Sequence, residues 1–399
     1  MRNVRFCILG AGPSGLAFAA ALAQADCDSF VLIEKEAEAG GLCRSVMVDG
    51  APLDIGGGHF LDVRRQRVLD FLFHYLPREE WREFERTAKV RIRGAEVEHP
   101  LEGNLWQLPP ADQVDFLESI ARAGSVRGIP EPTTFEDWIR WKLGDCIAEE
   151  YMLPYNRKIW SMSLSALGTD WMHKLPSVSF RETLTSCLER KPGGNLPAHG
   201  RFLYPRAQGY GEVWKRIAAS LGDRFLPGHA LQSIDVEHRI VDGLIQAETI
   251  VNTIPWDVWP RLAKLPQAVQ FAIDKLVHTG VHVDYRSENL ASQAHWIYDP
   301  DETVPYHRQL LRNNFITGAR GHWTETNVLR SPTSEGLRFE NGHAYPVGTV
   351  GRPEAIASVL TWARGHRIVG LGRWGTWEHI NSDVAVDLAL TCAERHLAS

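Results

Sequence analysis

The chain has 399 residues, 44% hydrophobic and 23% charged, the balance of a globular protein with two or three domains or subdomains rather than a fibrous or disordered one. Its formal net charge of -6, from 43 basic and 49 acidic side chains, excludes a global attraction for nucleic acid or an anionic membrane. The six cysteines (7, 27, 43, 146, 187 and 392) form no C-x-x-C pair, so neither a zinc site nor a redox dithiol is expected, and reduced, mostly buried thiols suit a cytoplasmic protein. Met1 to Gly10 reads as a strand rather than a secretory leader, and the apolar run LAFAAALA is too short to span a bilayer. The 14 tryptophans read either as core or as an aromatic cleft for a planar ligand.

In chain order, Val4 to Leu9 is a short apolar run that predicts a buried parallel strand. Gly10, Gly12 and Gly15 then give G-x-G-x-x-G, with Pro13 and Ser14 opening an alanine-rich helix. Gly10 suits a tight turn, Gly12 lets the backbone reach a pyrophosphate, and Gly15 lets helix and strand pack closely. Phosphates would sit on the helix N-terminus, where free N–H groups and the dipole favour negative charge. A second strand, SFVLIEK, ends at Glu34 and Lys35, about 20 residues on, where an acid can accept hydrogen bonds from a ribose. Strand, glycine turn, helix and acid together predict dinucleotide binding.

Gly40 and Gly41 follow that strand, with Leu42, Cys43, Arg44 and Ser45 next. This paired glycine resembles the continuation in the amine oxidase, protoporphyrinogen oxidase and UDP-galactopyranose mutase flavoproteins, which implies FAD rather than NAD as the bound dinucleotide. The stretch DIGGGH resembles the loop that passes the flavin face in the mutase branch. On that resemblance Gly57 and Gly58 give the backbone access to the isoalloxazine ring, and His59 lies against it, able to hydrogen-bond its polar edge.

Later segments resemble UDP-galactopyranose mutases in the order the family has them: VEHPLEGNLWQLPPADQV from 97, YMLPYNRKIWSMSLSAL from 151, DPDETVPYHRQLLRNNF from 299, NGHAYPVGTVGR from 341 and GLGRWGTWEHINSD from 370. The resemblance implies an isomerase of carbohydrate biosynthesis that interconverts pyranose and furanose forms of a nucleotide sugar through a sugar adduct on reduced flavin N5, without net oxidation. NADPH or NADH are then candidate external reductants, and a nucleotide-diphosphate sugar is the partner. It also implies site residues: Tyr155, Asn156 and Trp160 bordering sugar or nucleotide, Arg308 on the diphosphate with Tyr298 and Tyr345, and Arg373 near flavin and substrate. Gly372, Asn381 and Ser382 align with flavin contacts, and Leu231 with the backbone that touches adenine.

The departures are as informative. No arginine after Trp160 is in register with the family's second diphosphate arginine; His173, Lys174 and Arg181 are the nearest candidates. His99 and His379 stand where tyrosines are expected, and Glu102 where a glutamine is. A kept flavin frame with altered substrate positions predicts a sugar or nucleotide other than UDP-galactose. Two other readings stay open: an FAD oxidoreductase of the amine oxidase or desaturase type, and a nucleotide-sugar-binding flavoprotein without catalysis.

The expected fold class is α/β, a Rossmann-like FAD-binding domain with a helical insertion and an antiparallel-sheet substrate domain. The FAD domain is expected in three parts, 1–75, 201–260 and 346–399. A mainly helical substrate or lid domain is expected at 76–200, with a Gly/Pro-rich loop at 189–200, and the antiparallel sheet at 261–345. Neither internal repeats nor an oligomeric state can be read from the residues, and a homo-oligomer stays open.

Overall fold

The computed structural model describes residues 1–172, 178–194, 200–331 and 336–398. Its first sheet is built on the strand Arg2–Leu9, whose last four residues are fully buried. That strand pairs in parallel with Phe30–Ile33 on one side and with Ile245–Asn252 on the other. Phe225–Leu226 extends the sheet beyond Phe30–Ile33. Ile368–Gly370 runs parallel to the end of Ile245–Asn252, and the short antiparallel strands Ile240–Val241 and Ile234–Asp235 close that side. An all-apolar strand such as Phe30–Ile33 is stable only with both faces covered. One face carries the helix Pro13–Gln24 and the C-terminal helix Ser382–Leu397, with Phe6 and Phe18 edge to face at 5.5 Å. The other carries Trp256, Trp259 and the helix Arg352–Gly365. Each fully buried Leu or Phe in these layers contributes about 1.5–3 kcal/mol.

The second sheet has the order Arg338–Pro346, His278–Arg286, His322–Asn327, Arg308–Leu310, Trp296–Tyr298, Ala88–Ile92, Ala95–Glu98. Its pairs are antiparallel except Trp296–Tyr298 with Ala88–Ile92, which is parallel. Within 76–200, the two strands at 88–98 and the strand Trp81–Glu85 precede the helices. Ala88 to Ile92 alternates buried and half-buried residues with period two, which overrides the helical spacing that begins farther along. Helices follow at Pro110–Ala121, Phe135–Ile147 and Leu153–Trp160. The stretch FEDWIRWKLGDCIAEEYM is kinked at Gly144, whose φ is +76°, and passes through a π-turn at Ala148–Met152. Such turns recur at functional sites, and this one presents Tyr151 and Met152 to the cavity described below. The described residues contain no helix long and apolar enough to cross a membrane.

Candidate functional site

The strand-to-helix turn has the form its glycines dictate. Gly10 adopts φ +97°, and a Cβ on Gly15 would lie 2.0 Å from the Gly10 carbonyl oxygen. Gly12 is the N-cap of Pro13–Gln24, has no side-chain cap, and faces open space where a Cβ would be. Glu34 Oε2 accepts the Ala11 N–H at 2.8 Å, and its Oε1 accepts the Glu36 N–H at 3.0 Å, so the acid locks the turn and keeps lone pairs for a ribose. Lys35 is solvated beside Glu36. The paired glycines 40 and 41 dock on this turn rather than lying on the surface. Gly40 N–H donates to Ala11 O at 2.8 Å, and a Cβ on Gly41 would sit 3.2 Å from Gly12 Cα. Gly372, at φ +73°, packs against Ser14, where a Cβ would meet Oγ at 2.0 Å. The His229 N–H donates to Glu34 O, bringing the segment that leads to half-buried Leu231 to the end of the second strand. An uncapped helix start behind a side-chain-free turn, with an acid at the next strand end, fits a dinucleotide.

Beside this turn opens a cavity of about 970 Å³ between the two sheets and the helices. It gathers Leu42, Gly58, His59, Tyr155, Asn156, Trp160, Tyr298, Arg308, Tyr345, Arg373, His379, Asn381 and Ser382 from six separate stretches of the chain. The altered positions His99 and Glu102 line it as well. Arg181 does not: it is exposed on the helix Phe180–Glu189. His173, Lys174 and the central part of the loop 189–200 lie outside the described residues.

The three glycines of DIGGGH approach protein. A Cβ on Gly56 would meet Leu42 O at 2.1 Å, one on Gly57 would meet Glu325 Oε1 at 2.5 Å, and one on Gly58 would meet Leu310 at 2.1 Å. Gly58 N–H donates to Glu325 Oε1 at 3.0 Å. Glu325 lies in the strand His322–Asn327, directly across from Arg308. Its Oε2 accepts Arg308 Nε and Nη2 at 2.9 and 2.5 Å, and His307 Nε2 is 3.6 Å away. Burial acts to raise the Glu325 carboxyl, but Arg308, His307 and the Gly58 N–H together outweigh it and bring it down to about 2. For Arg308, burial opposes the charge, and Glu325 together with Tyr345, Tyr155 and Tyr298 more than restores it. The pair is neither a surface ion pair nor a free clamp. It ties the glycine loop to the second sheet and leaves Arg308 Nη1 without a protein partner among the described residues.

His59 donates from Nδ1 to Gly57 O at 2.9 Å, stacks on Tyr210 at 6.3 Å and 11°, and keeps Nε2 as an acceptor. Burial, then the charge of Arg373, pushes it down to about 4, so it is neutral at pH 7. Arg373 donates to the carbonyls of Ala344 and Ile380 at 2.9 and 2.7 Å and lies over the Tyr345 ring. Among the described residues it has no carboxylate partner, and burial lowers its pKa. Tyr345 also contacts His379 at 4.7 Å and Trp160 at 6.3 Å. Asn156 positions Trp160 by accepting its Nε1–H at 3.0 Å, and Tyr155 meets Tyr298 edge to face at 5.4 Å. Burial drives the phenols of Tyr155 and Tyr345 above their usual value, so both stay protonated.

Sequence reasoning missed Glu325, Arg86 and His307. Arg86 Nη2 donates to Tyr298 Oη at 3.2 Å and to His99 Nδ1 at 3.0 Å, and its guanidinium covers Trp296. Arg64, Arg65 and Arg352 complete a cation-rich wall, paired with Asp62, Asp383 and Asp170 respectively. The tryptophans divide between the two readings. Trp81, Trp214, Trp256, Trp259 and Trp323 are core, whereas Trp138, Trp160, Trp171 and Trp296 line the cavity. Asn381 caps the C-terminal helix at the cavity, and Ser382 Oγ shares a hydrogen bond with Tyr210 Oη at 2.8 Å.

Comparison with known proteins agrees at the level of fold. Residues 8–76 match the NAD(P)-binding Rossmann-like domain family. The chain superposes on the crystal structure of a reduced UDP-galactopyranose mutase with a TM-score of 0.87 and 21% identity, covering 99% of this chain and 94% of that one. A putative protoporphyrinogen oxidase from Exiguobacterium is similar at TM-score 0.70 and 16% identity, with 99% of each chain covered. Wild-type putrescine oxidase bound to putrescine follows at 0.66 and 16%, covering 100% of this chain and 99% of that one. The fold is therefore the α/β architecture shared by these enzymes. Within it, this chain has the shape of a UDP-galactopyranose mutase.

Proposed function

We propose that the protein is an FAD-dependent nucleotide-sugar mutase, isomerising the ring form of a sugar carried on a nucleotide diphosphate, with a sugar or base different from that of UDP-galactose. The observation that carries this reading is one wall of the cavity. Arg308, Arg86 and Arg373 stand there with Tyr155, Tyr298 and Tyr345, beside the loop that bears His59. FAD would be held by the turn Gly10–Gly15, Glu34, Gly41, Leu42, His59, Arg373, Asn381 and Ser382. When reduced it supplies a nucleophilic nitrogen for an anomeric carbon. The chain's own part is to bind and release the diphosphate. Arg308 has Nη1 left over from its ion pair, and guanidinium forks match phosphate oxygens. Phenols that stay protonated donate hydrogen bonds to a dianion without repelling it. Neutral His59 offers Nε2 only as an acceptor. Trp160 and Tyr345 wall the sugar from water.

An amine oxidase reading asks for a site that attracts a cationic or neutral amine, and Arg373, which faces the cavity without a carboxylate partner among the described residues, disfavours a cation there. The test uses purified protein reduced with dithionite without air and offered UDP-galactose and other nucleotide sugars, with ring isomers read by chromatography. Turnover by the reduced but not the oxidised protein is expected. Stoichiometric flavin reduction by an amine would replace this reading, and tight nucleotide-sugar binding without turnover would reduce it to a binding protein.

A further inference from the structure

Outside the cavity, three side chains meet where the two sheets adjoin. Asp257 lies in the turn Trp256–Val258 that follows the Rossmann strand Ile245–Asn252. His278 opens the strand His278–Arg286, and His343 belongs to its neighbour Arg338–Pro346. The pairing runs His278↔Pro346, Thr279↔Tyr345 and then Val281↔Asn341, so Gly342, His343 and Ala344 stand opposite Gly280 alone. A bulge of this kind re-aims a side chain. Here it lays the His343 imidazole parallel to that of His278, with ring centroids 4.1 Å apart and planes 13° apart.

Both rings present a nitrogen to one carboxylate oxygen. Asp257 Oδ2 is 2.9 Å from His343 Nε2 and 3.6 Å from His278 Nδ1, and one donor atom from each residue lies within 4.8 Å of the others. Donors bound at about 2.0–2.1 Å to one tetrahedral ion are about 3.4 Å apart, and these separations straddle that value. Asp257 Oδ1 is buried with no hydrogen-bond partner among the described residues, so the carboxylate is not saturated by protein. The three side chains are about one-third exposed, which leaves room for a solvent ligand. Two imidazoles and a carboxylate are a donor set for borderline first-row ions.

We propose that Asp257, His278 and His343 bind one divalent transition ion of the zinc class, with solvent completing its shell. The ion would join the Rossmann domain to the second sheet directly behind Arg373. Trp374 lies against both imidazoles, at 5.4 and 6.2 Å, and the carbonyl of Ala344, next to His343, accepts Arg373 Nη1. The site would therefore set the position of the bulge that precedes Tyr345 rather than touch substrate.

The experiment takes the full chain with its flavin, free of any affinity tag, stripped with a chelator and desalted. Titration with zinc chloride in a calorimeter is expected to show one equivalent per chain, with a rise in Tm. Asp257→Asn keeps an acceptor for His343 and removes a ligand charge, and should weaken zinc binding more than about 100-fold with the flavin spectrum unchanged. The triple variant D257N/H278A/H343A should show no stoichiometric uptake. Zinc uptake by the wild type no greater than by that triple variant would overturn the proposal and leave a hydrogen-bonded cluster only. If the triple variant fails to fold, equal zinc affinity in wild type and Asp257→Asn overturns it just as well.

Discussion

Removing Arg308 separates two roles that its position combines. Glu325 is fully buried and Arg308 is its charge partner, at 2.9 and 2.5 Å. Stranding a buried carboxylate costs about 3–5 kcal/mol. The titration argument gives a similar figure: a carboxyl held at about 2 instead of its ordinary 4.5 is stabilised by about 3 kcal/mol. The sign follows. Its folded pKa is depressed, so the contribution is present above pH about 4.5 and is lost as pH falls toward 2. Arg308→Ala should therefore lower unfolding stability by about 3 kcal/mol at pH 7 and weaken nucleotide-sugar binding. The double variant R308A/E325Q should recover most of the stability, because Gln keeps an acceptor for the Gly58 N–H and carries no charge. It should not recover affinity, because Nη1 is still missing. Urea denaturation followed by tryptophan fluorescence gives the first quantity, and calorimetric titration with UDP and UDP-galactose gives the second. A single variant that loses under about 1 kcal/mol and binds UDP-sugars normally would refute both the structural and the ligand role.

Gly12→Val and Gly15→Val should part company. The first faces open space and should fold colourless with an unchanged apo-protein Tm, whereas the second meets the Gly10 carbonyl and should not fold; flavin absorbance and Tm check both. Glu102 is raised to about 7 by burial, so the stability of its neutral form is complete below pH about 4.5 and is lost as pH rises through 7. Glu102→Gln should flatten that decline by at most about 3 kcal/mol, leaving the part due to Asp54, which burial also raises to about 7. His59, held at about 4, should contribute no titration to flavin properties between about pH 6 and 8, while His59→Ala should change the flavin spectrum or its rate of reduction. An unaltered flavin in every respect would make His59 structural.

The parts of the site that were legible in the sequence are those where backbone geometry demands a residue type. Gly10 needs positive φ and Gly15 has a carbonyl 2.0 Å from where a Cβ would be, so the turn is written in glycines at fixed spacing. The cavity aromatics were legible through the resemblance, since Tyr155, Asn156 and Trp160 stand close together on one short helix. Glu325 was not, because a lone carboxylate in the polar stretch HWTETN reads as a solvated strand face. Only the pairing of Arg308 with Glu325 across two strands shows that it is buried and ionised. Arg86 escaped for the same reason: it reaches Tyr298, 212 residues on, through tertiary packing alone. At the triple-glycine loop a Cβ would meet Leu42, Glu325 and Leu310 in turn, contacts that spacing alone cannot show.

The positions that depart from the mutase pattern are not scattered. His99, Glu102 and His379 all line the same cavity. His99 accepts from Arg86 at Nδ1 and so carries its proton on Nε2. His379 lies 4.7 Å from Tyr345. Random drift in a decayed site would leave such groups unpaired or collapse the space around them, since unsatisfied buried polar groups are costly. Here the space is kept and the exchanged groups are integrated into a cation-rich, phenol-lined wall. Where the resemblance expects tyrosines, imidazoles shorten the side chains and place donor and acceptor on two separate ring nitrogens instead of one hydroxyl. On the proposed function, a pocket altered in that way would select a different arrangement of sugar hydroxyls while keeping its hold on the diphosphate. Screening should therefore vary the sugar first, with the nucleotide diphosphate held constant.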